Sequence, residues 1–461
     1  MVTSTLGTAS SDVGLAELVS ALSYALDMTE GQPAGHGVRC CWIGMSIGRE
    51  LGMTGAQLSD LYYMLLLKDV GCSSNAARIC QLYLGDDIGI KRDFKLVDSS
   101  LANVFGFVLS HTGMKAGLAE RFRAIFRIAI NGGGIVRELV ETRCQQGADI
   151  ARQMRFSDDV VQGILDLDEH WDGKGRPLGL AGQSISAFAR IGMIAQVVDV
   201  FHTSAGPAAA LEEVRRRSGT WFDPAMIAVF DTVATPEFWS ILAEPDLEGR
   251  IVAMEKTRRV VPVDEDYLDD IAAAFAKVVD AKSPFTAGHS DRVALFSDLI
   301  AEELGFDAER RRTLKRAALL HDIGKLGVSN QVLDKPDKLD DDEWAEIKQH
   351  PAIGERILAH VAAFASLARI AGEHHERLDG EGYPRGLAAE SLGLETRIVT
   401  AADVFDALTA DRPYRGAMPV TRALGIMQGM VGPAIDGDVF AALRSAVAKL
   451  APTLDQALAA A

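Results

Sequence analysis

The chain has 461 residues, of which 48% are hydrophobic and 24% are charged, and its formal net charge is −17. This length and composition are typical of an ordinary globular protein with two or three domains. The negative charge argues against general binding to nucleic-acid polymers or membrane surfaces, so a phosphate-containing ligand would need a local positive site.

Targeting and redox features are sparse. Residues 1–11 are small and polar without a basic start, unlike a signal peptide. No apolar run reaches the roughly 18 residues of a membrane span. The five cysteines form no CxxC pair. We therefore expect a cytoplasmic protein with reduced thiols and no membrane partner.

Leu and Ala dominate the composition and strand signals are weak throughout, which predicts an all-α fold. The sequence contains a diverged internal repeat. Its first motifs lie in the N-terminal third of the chain, and similar motifs follow 253 residues later in the same order. These first matches are Gly35-His36 with Gly288-His289, Arg39 with Arg292, and Lys68-Asp69 with His321-Asp322.

The later matches of the repeat lie at shorter offsets. Residues 172–177 match residues 379–384, and we pair Asp199 with Asp403 through a shared Asp-Val-Phe triplet. The shorter offset predicts an insert in the first copy at about residues 75–134. We expect the glycine run at 132–134 to end this insert as a flexible break.

The sequence divides at a stretch that contains prolines and acidic residues. We predict a first domain over residues 1–240, a linker over 241–263 and a second domain over 264–461. A helix at residues 267–281, with apolar residues at helical spacing, is expected to lead into the second copy.

Five of the chain's ten histidines and two aspartates form a series of motifs in the second copy, within little more than a hundred residues. Imidazole and carboxylate together suit first-row transition metals, and a cluster this rich indicates more than one ion. The candidate metal ligands are His289, His321, Asp322, His350, His374, His375 and Asp403.

These motifs resemble the HD-GYP family of bacterial cyclic-di-GMP phosphodiesterases, a branch of the HD superfamily. The resemblance spans about residues 283–418. It is carried by GHSDRV at Gly288, the His321-Asp322 pair with Gly324-Lys325, the His350-Pro351 step, the double histidine, Gly382-Tyr383-Pro384 and DRPYR at Asp411. It implies tandem HD-domain helical bundles, the second of HD-GYP type.

The resemblance also implies two divalent transition-metal ions, Fe or Mn, with Asp322 bridging them. His289, His321 and Asp403 would bind one ion, and His350, His374 and His375 the other. Some family members bind a third ion through a glutamate one turn before the first histidine. Phe285 occupies that position here, which favours two.

Other residues of the second copy match family positions that touch substrate. Asp322 and Lys325 are the expected catalytic residues, and Lys325, Arg412 and Arg415 are expected to contact phosphate or guanine. Asp406 is expected to aid substrate binding. For Tyr383 two interpretations stay open, a contact with the ligand or a partner and a structural anchor of its loop.

The first copy departs from the ligand pattern and is predicted to bind no catalytic metal. We expect Lys68 to act there as a buried cation against the remaining aspartates. Such a domain, with its insert, would regulate or dimerise the second copy. The replacements predicted from the repeat are Lys68 for His321, Cys144 for His350, Leu167-Asp168 for His374-His375, and Arg176 for Tyr383.

The sequence therefore predicts a metal-dependent phosphodiesterase that opens cyclic-di-GMP to pGpG in bacterial signalling, with GMP as a further product left open. One alternative is an HD phosphohydrolase acting on another cyclic nucleotide or dinucleotide. Another is a cyclic-di-GMP receptor with little turnover. A homodimer, and a signalling partner at the N-terminal domain or the Gly-Tyr-Pro loop, are also left open.

Overall fold

The computed structural model describes residues 14–97, 101–114, 116–256, 263–411 and 415–459. By its internal contacts the chain divides into two compact units, Met1–Asp270 and Ile271–Ala461. The regular elements of the described ranges are all helices, accompanied by isolated β-bridges. The predicted all-α fold is confirmed.

The first unit contains thirteen of the described helices and two short 3-10 helices, Cys72–Asn75 and Gly182–Ser184. Its core is built around α2, α3 and α9, which pack on one another. The helices are α1 Leu15–Thr29, α2 His36–Glu50, α3 Gly55–Leu67, α4 Ala76–Tyr83, α5 Asp87–Phe94, α6 Leu101–His111, α7 Leu118–Gln153, α8 Asp158–Leu165, α9 Ala187–Ala205, α10 Pro207–Arg216, α11 Pro224–Val233, α12 Pro236–Leu242 and α13 Leu247–Lys256.

The second unit is built around α15, α16, α19, α20 and α21, with 3-10 helices at Ile323–Gly327, Ala362–Phe364 and Ala389–Ser391. Helix α14 begins before the division between the units and ends after it. The helices are α14 Glu265–Asp280, α15 His289–Glu303, α16 Ala308–Leu320, α17 Asn330–Leu333, α18 Asp341–Ile347, α19 His350–Ala359, α20 Ala365–Glu373, α21 Leu394–Thr409, α22 Val420–Gln428 and α23 Gly437–Ala459.

The same local devices recur in both units. Gly35 and Gly288 precede α2 and α15 in the left-handed region, with φ of 83° and 67°, which a residue without a Cβ adopts readily. Later, the Glu169 carboxylate accepts hydrogen bonds from backbone amides of residues 178 and 180, and the Glu376 carboxylate accepts them from residues 385 and 387. The internal repeat is therefore present in the structure.

Two stretches expected to be irregular are helical. The segment predicted as a linker contains α13, which packs on α1 and α2. The predicted break at Gly132, Gly133 and Gly134 is wrong, because these residues lie inside the 36-residue helix α7. Glycine weakens a helix by about 1 kcal/mol per residue, which the good helix formers around the run and the packing of α7 on α8 outweigh.

Among the described residues, no single helix has both the length and the apolar character needed to cross a membrane. Helices α11 and α12 meet the requirement only when taken together, and they are bent by 86° at the break between them.

Candidate metal centre

Helix ends of the second unit bring the predicted ligands together. His289 is the first residue of α15 and His350 the first residue of α19, while His321 and His374 directly follow α16 and α20. Asp403 lies on α21. Because each histidine sits at a helix end, its position is fixed by a rigid element, while its ring extends into the space between the helices.

The Asp322 carboxylate lies between two pairs of imidazoles. Its Oδ2 is 3.3 Å from Nε2 of His289 and 3.4 Å from Nε2 of His321. Its Oδ1 is 3.4 Å from Nε2 of His350 and 3.7 Å from Nε2 of His374. The two oxygens of one carboxylate thus face two separate ligand groups, which is the arrangement a bridging ligand requires.

Backbone carbonyls fix the orientation of three of these rings. The Nδ1 atoms of His321, His350 and His374 lie 2.7, 2.6 and 2.7 Å from the carbonyl oxygens of residues 318, 347 and 371. A ring that donates through Nδ1 presents the lone pair of Nε2, so all three Nε2 atoms are available as metal ligands.

The Asp406 carboxylate fixes the orientation of the His289 ring. The Oδ2 of Asp406 is 2.7 Å from Nδ1 of His289, and Oδ1 of Asp406 accepts a hydrogen bond from Nε of Arg292. Asp406 is buried, and both of its oxygens are committed to these partners. Asp406 therefore orients the His289 ring, and its predicted contact with the substrate stays a prediction.

Several pKa values in this cluster depart from their usual range. Burial alone would lower the pKa of His289, but the carboxylates of Asp322, Asp406 and Asp403 outweigh it and raise this pKa to about 9. Burial and the neighbouring His350 lower the pKa of His375 to about 3. At neutral pH the His289 imidazole is therefore charged, whereas that of His375 is neutral.

Unsatisfied buried atoms indicate what the site is built to hold. Nε2 of His289, Nε2 of His321 and Oδ1 of Asp322 are buried, and none has a hydrogen-bond partner of good geometry among the described residues. Ligand atoms of His289, His321 and Asp322 lie within 4.8 Å of one another, as do those of His350, His374 and His375. This nitrogen-rich donor set fits transition-metal ions.

The predicted substrate residues have different surroundings. The Lys325 ammonium donates to Oδ2 of Asp322, so this side chain reaches the cluster. The Tyr383 ring stacks on the His375 ring, with centroids 4.8 Å apart. Arg415 donates instead to the backbone carbonyls of residues 407 and 408 in the last turn of α21 and of the adjacent residue 416, which accounts for its position structurally. Arg412 lies outside the described residues.

One glycine sets the spacing between the two halves of the cluster. A Cβ added to Gly324 would lie 1.9 Å from the carbonyl oxygen of His350 and 2.6 Å from the amide nitrogen of Gly354. The 3-10 helix Ile323–Gly327 therefore packs directly on the start of α19. This close approach brings His350 next to the Asp322 carboxylate.

The first unit carries a lysine where the second has His321. The Lys68 ammonium lies 3.1 Å from Nε2 of His36 and donates to the carboxylate of Asp69. Its side chain is 1% exposed. Burial would lower the pKa of Lys68, but the Asp69 carboxylate holds it above its usual value. The predicted buried cation is confirmed in this structure.

The prediction that Cys144 replaces His350 is wrong by one residue. A Cβ on Gly71 would meet the carbonyl oxygen of Arg143 at 2.0 Å, just as one on Gly324 would meet that of His350. Arg143 therefore replaces His350, and its guanidinium pairs with Asp168, at the position of His375. Two side-chain cations, Lys68 and Arg143, thus take the place of imidazole ligands.

The predicted pairing of Asp199 with Asp403 is wrong by three residues. The Oδ2 of Asp199 lies 2.6 Å from Nδ1 of His36, and Oδ1 of Asp199 accepts a hydrogen bond from Arg39. These are the contacts that Asp406 makes to His289 and Arg292. Asp199 corresponds to Asp406, so the residue at the position of Asp403 is Gln196.

The ligand-type residues around His36 in the first unit are already engaged. His36, Cys40 and Asp199 come close enough to hold an ion, but Asp199 binds His36 and Arg39, and Lys68 occupies the other side of His36. Burial raises the pKa of the Cys40 thiol, which keeps it protonated. A metal ion at this cluster would compete with the Lys68 ammonium.

Comparison with known proteins agrees with this geometry. The family described as HD domain matches residues 126–226 and 273–439. The 3'3'-cGAMP-specific phosphodiesterase 3 of Vibrio cholerae is 51% identical over 94% of both chains. A cyclic di-GMP phosphodiesterase of Thermotoga maritima is 36% identical over 40% of this chain and 51% of its own.

A solved structure matches over almost the whole length. The crystal structure of a cyclic GMP-AMP-specific phosphodiesterase from V. cholerae, V-cGAP3, covers 95% of this chain and 98% of its own, with a TM-score of 0.65 and 46% identity. The family match falls on both copies of the repeat, and the intact ligand cluster lies in the second. The chain belongs to the HD-domain family, in its HD-GYP branch.

Proposed function

We propose that the second unit is a metal-dependent phosphodiesterase that hydrolyses a cyclic dinucleotide. The observation that carries the proposal is the Asp322 carboxylate, whose two oxygens face separate imidazole groups at 3.3–3.7 Å. Such a centre suits two metal ions, because a shared carboxylate holds them close together. The family match and the V. cholerae and T. maritima relatives support the same reaction class.

In this proposal the ligands divide as the sequence suggested. His289, His321 and Asp403 would hold one ion, His350, His374 and His375 would hold the other, and Asp322 would contribute to both. Two bound transition-metal ions, Fe or Mn, would lower the pKa of water and offset negative charge at the phosphorus.

The chain's own residues orient the site and bind the substrate. Asp406 holds the His289 ring so that Nε2 faces the centre. Lys325 is partly exposed and extends to the edge of the same centre. When the Asp322 oxygens are engaged, its ammonium can turn to a non-bridging phosphate oxygen and stabilise the negative charge that develops there.

The substrate we propose is a purine cyclic dinucleotide, with 3'3'-cGAMP tested first and cyclic-di-GMP second. The relative that covers 94% of the chain is named for 3'3'-cGAMP, and several shorter matches are named for cyclic-di-GMP. The intact ligand set favours an enzyme over a receptor with little turnover. A cytoplasmic location and a homodimer stay predictions.

For the first unit we propose a regulatory or dimerising role without metal. Lys68 and Arg143 supply fixed positive charge beside Asp69 and Asp168, so this cluster is balanced without ions. A signalling partner could meet the protein through this unit or through the loop that carries Tyr383.

The test is turnover by the full chain loaded anaerobically with Fe or Mn. We expect both cyclic dinucleotides to be opened to linear products, resolved by chromatography, with 3'3'-cGAMP the better substrate. Lys325→Ala should keep the wild-type metal content and lose most turnover. Metal-loaded protein that binds but never opens either dinucleotide would overturn the enzyme proposal in favour of a receptor.

A further inference from the structure

An exposed tryptophan lies on the helix that leads into the metal centre. Trp344 on α18 is 46% exposed. Among the large hydrophobic side chains that the structure describes in the second unit, only that of Leu295 is more exposed. Three residues further along α18, the carbonyl oxygen of Ile347 holds Nδ1 of the metal ligand His350 at 2.6 Å. The position of Trp344 is therefore tied to the position of that ligand.

A chain of stacked groups connects Trp344 to the centre. The His375 and Tyr383 rings are 4.8 Å apart and 28° from parallel. The Lys348 ammonium lies 5.7 Å from the Tyr383 centroid and 5.5 Å from the Trp344 centroid. Aromatic ring, cation and aromatic ring thus follow one another outward from a metal ligand.

Two glutamates next to Trp344 and Lys348 are engaged with other residues. Glu343 pairs with Lys335 and completes the capping box at Asp340, and Glu346 accepts a hydrogen bond from the backbone amide of Ser329. Lys348 forms no ion pair among the described residues, so its ammonium can pair with an anion in a chain whose net charge is −17. An anionic ligand would gain from such a site.

We infer that Trp344 and Lys348 form a subsite for the part of the substrate that is not at the metals, in which a purine base stacks on the indole and the second phosphate pairs with Lys348. This inference rests on the proposed function. Aromatic side chains stack on any base through its π-face, so the subsite tolerates both guanine and adenine. It would bind 3'3'-cGAMP and cyclic-di-GMP alike.

The test compares two kinds of substrate with one set of full-length variants. Cyclic dinucleotides have bases, and bis(p-nitrophenyl) phosphate has the diester without a base. Trp344→Ala should raise KM for both cyclic dinucleotides by roughly tenfold, equivalent to about 1.4 kcal/mol. The ratio of their kcat/KM to that of bis(p-nitrophenyl) phosphate should fall by the same factor.

Two further variants separate binding from folding. Trp344→Phe keeps an aromatic face and should restore most of the ratio. Phe306→Ala is the matched control, because the Phe306 ring also pairs with a cation, the Arg310 guanidinium, 3.6 Å from its centroid. Phe306 follows the C-terminal end of α15, whereas His289 is the first residue of that helix. It should leave the ratio unchanged. Lys348→Gln should also raise KM and weaken the salt dependence of KM.

The outcomes are distinguishable. If wild-type protein opens cyclic dinucleotides and Trp344→Ala leaves KM unchanged, the subsite is refuted while the proposed function stands. If Trp344→Ala loses metal, or loses both kinds of activity equally, Trp344 has only a structural role in α18 and the inference is overturned. If wild-type protein cleaves bis(p-nitrophenyl) phosphate but no cyclic dinucleotide, the proposed function fails and the subsite with it.

Discussion

Asp199 in the first unit and Asp406 in the second hold equivalent histidines, at 2.6 Å from His36 and 2.7 Å from His289. Both carboxylates also accept a hydrogen bond from an arginine three residues after that histidine. The supporting residues have thus been kept in both copies, while the ligands around them differ. The first copy retains a framework for a metal site and fills it with side-chain cations.

This relationship predicts opposite outcomes for one substitution at two positions. Asp406→Asn should weaken metal binding by roughly 10- to 100-fold, because it removes the partner that orients His289. Asp199→Asn is the matched control and should leave metal binding unchanged, since its histidine faces Lys68. Metal titration of both variants checks this. A similar loss of affinity in the two variants would contradict the assignment.

Lys68 should stabilise the first unit. Lys68→Ala leaves the buried carboxylate of Asp69 without its cation, which we expect to cost roughly 3–5 kcal/mol of unfolding free energy. Lys174→Ala serves as control, because the Lys174 side chain is 82% exposed and pairs with Asp172 at the surface. Thermal unfolding of the three proteins gives the comparison. Equal stability of Lys68→Ala and wild type would show that the buried pair contributes nothing.

Gly324→Ala should separate the two halves of the metal centre. The new methyl group would overlap the carbonyl oxygen of His350, so the start of α19 must move away from Asp322. We expect the variant to lose the ion on the His350 side and most activity. Gly425→Ala on α22, where an added Cβ meets nothing within 4 Å, should behave like wild type. Retention of full metal content by Gly324→Ala would refute this account of the packing.

Metal binding should release a proton near neutral pH. The pKa of His289 is raised to about 9 in the metal-free protein, so its imidazole is protonated at pH 7 and must lose that proton to bind metal. Affinity should therefore rise by about tenfold per pH unit between pH 7 and 8 and level off above pH 9. Calorimetry in buffers of different ionisation enthalpy measures the proton. The absence of proton release at pH 7 would contradict the protonated state of His289.

Much of the site could be predicted from the sequence, because imidazole and carboxylate clusters have few other uses and each ligand belongs to a separate motif. The copies of the repeat were also visible, as was the buried role of Lys68. Where the ligands have diverged, short identical stretches led to a wrong pairing of residues between the two copies. The Asp-Val-Phe triplet paired Asp199 with Asp403, whereas the contacts to His36 and His289 pair it with Asp406.

The remaining errors have physical causes that single residues do not reveal. Arg143 replaces His350 although the two share no metal chemistry, and only the close approach of Gly71 to its carbonyl identifies the position. Gly147, four residues after Arg143, corresponds to Gly354, four residues after His350, and this equal spacing is the signal in the sequence that identifies the pair. The glycines at 132–134 were expected to break the chain, but neighbouring turns of α7 continue the helix through them.

The central claim is that a two-metal centre bridged by Asp322 hydrolyses cyclic dinucleotides in the second unit. Its most direct test is metal analysis of the full chain and of Asp322→Ala after anaerobic loading with Fe or Mn, with 3'3'-cGAMP turnover measured on the same samples. We predict two ions per wild-type chain with turnover, and loss of both ions and of turnover in the variant. Fewer than one ion per wild-type chain, or full turnover by Asp322→Ala, would contradict the account.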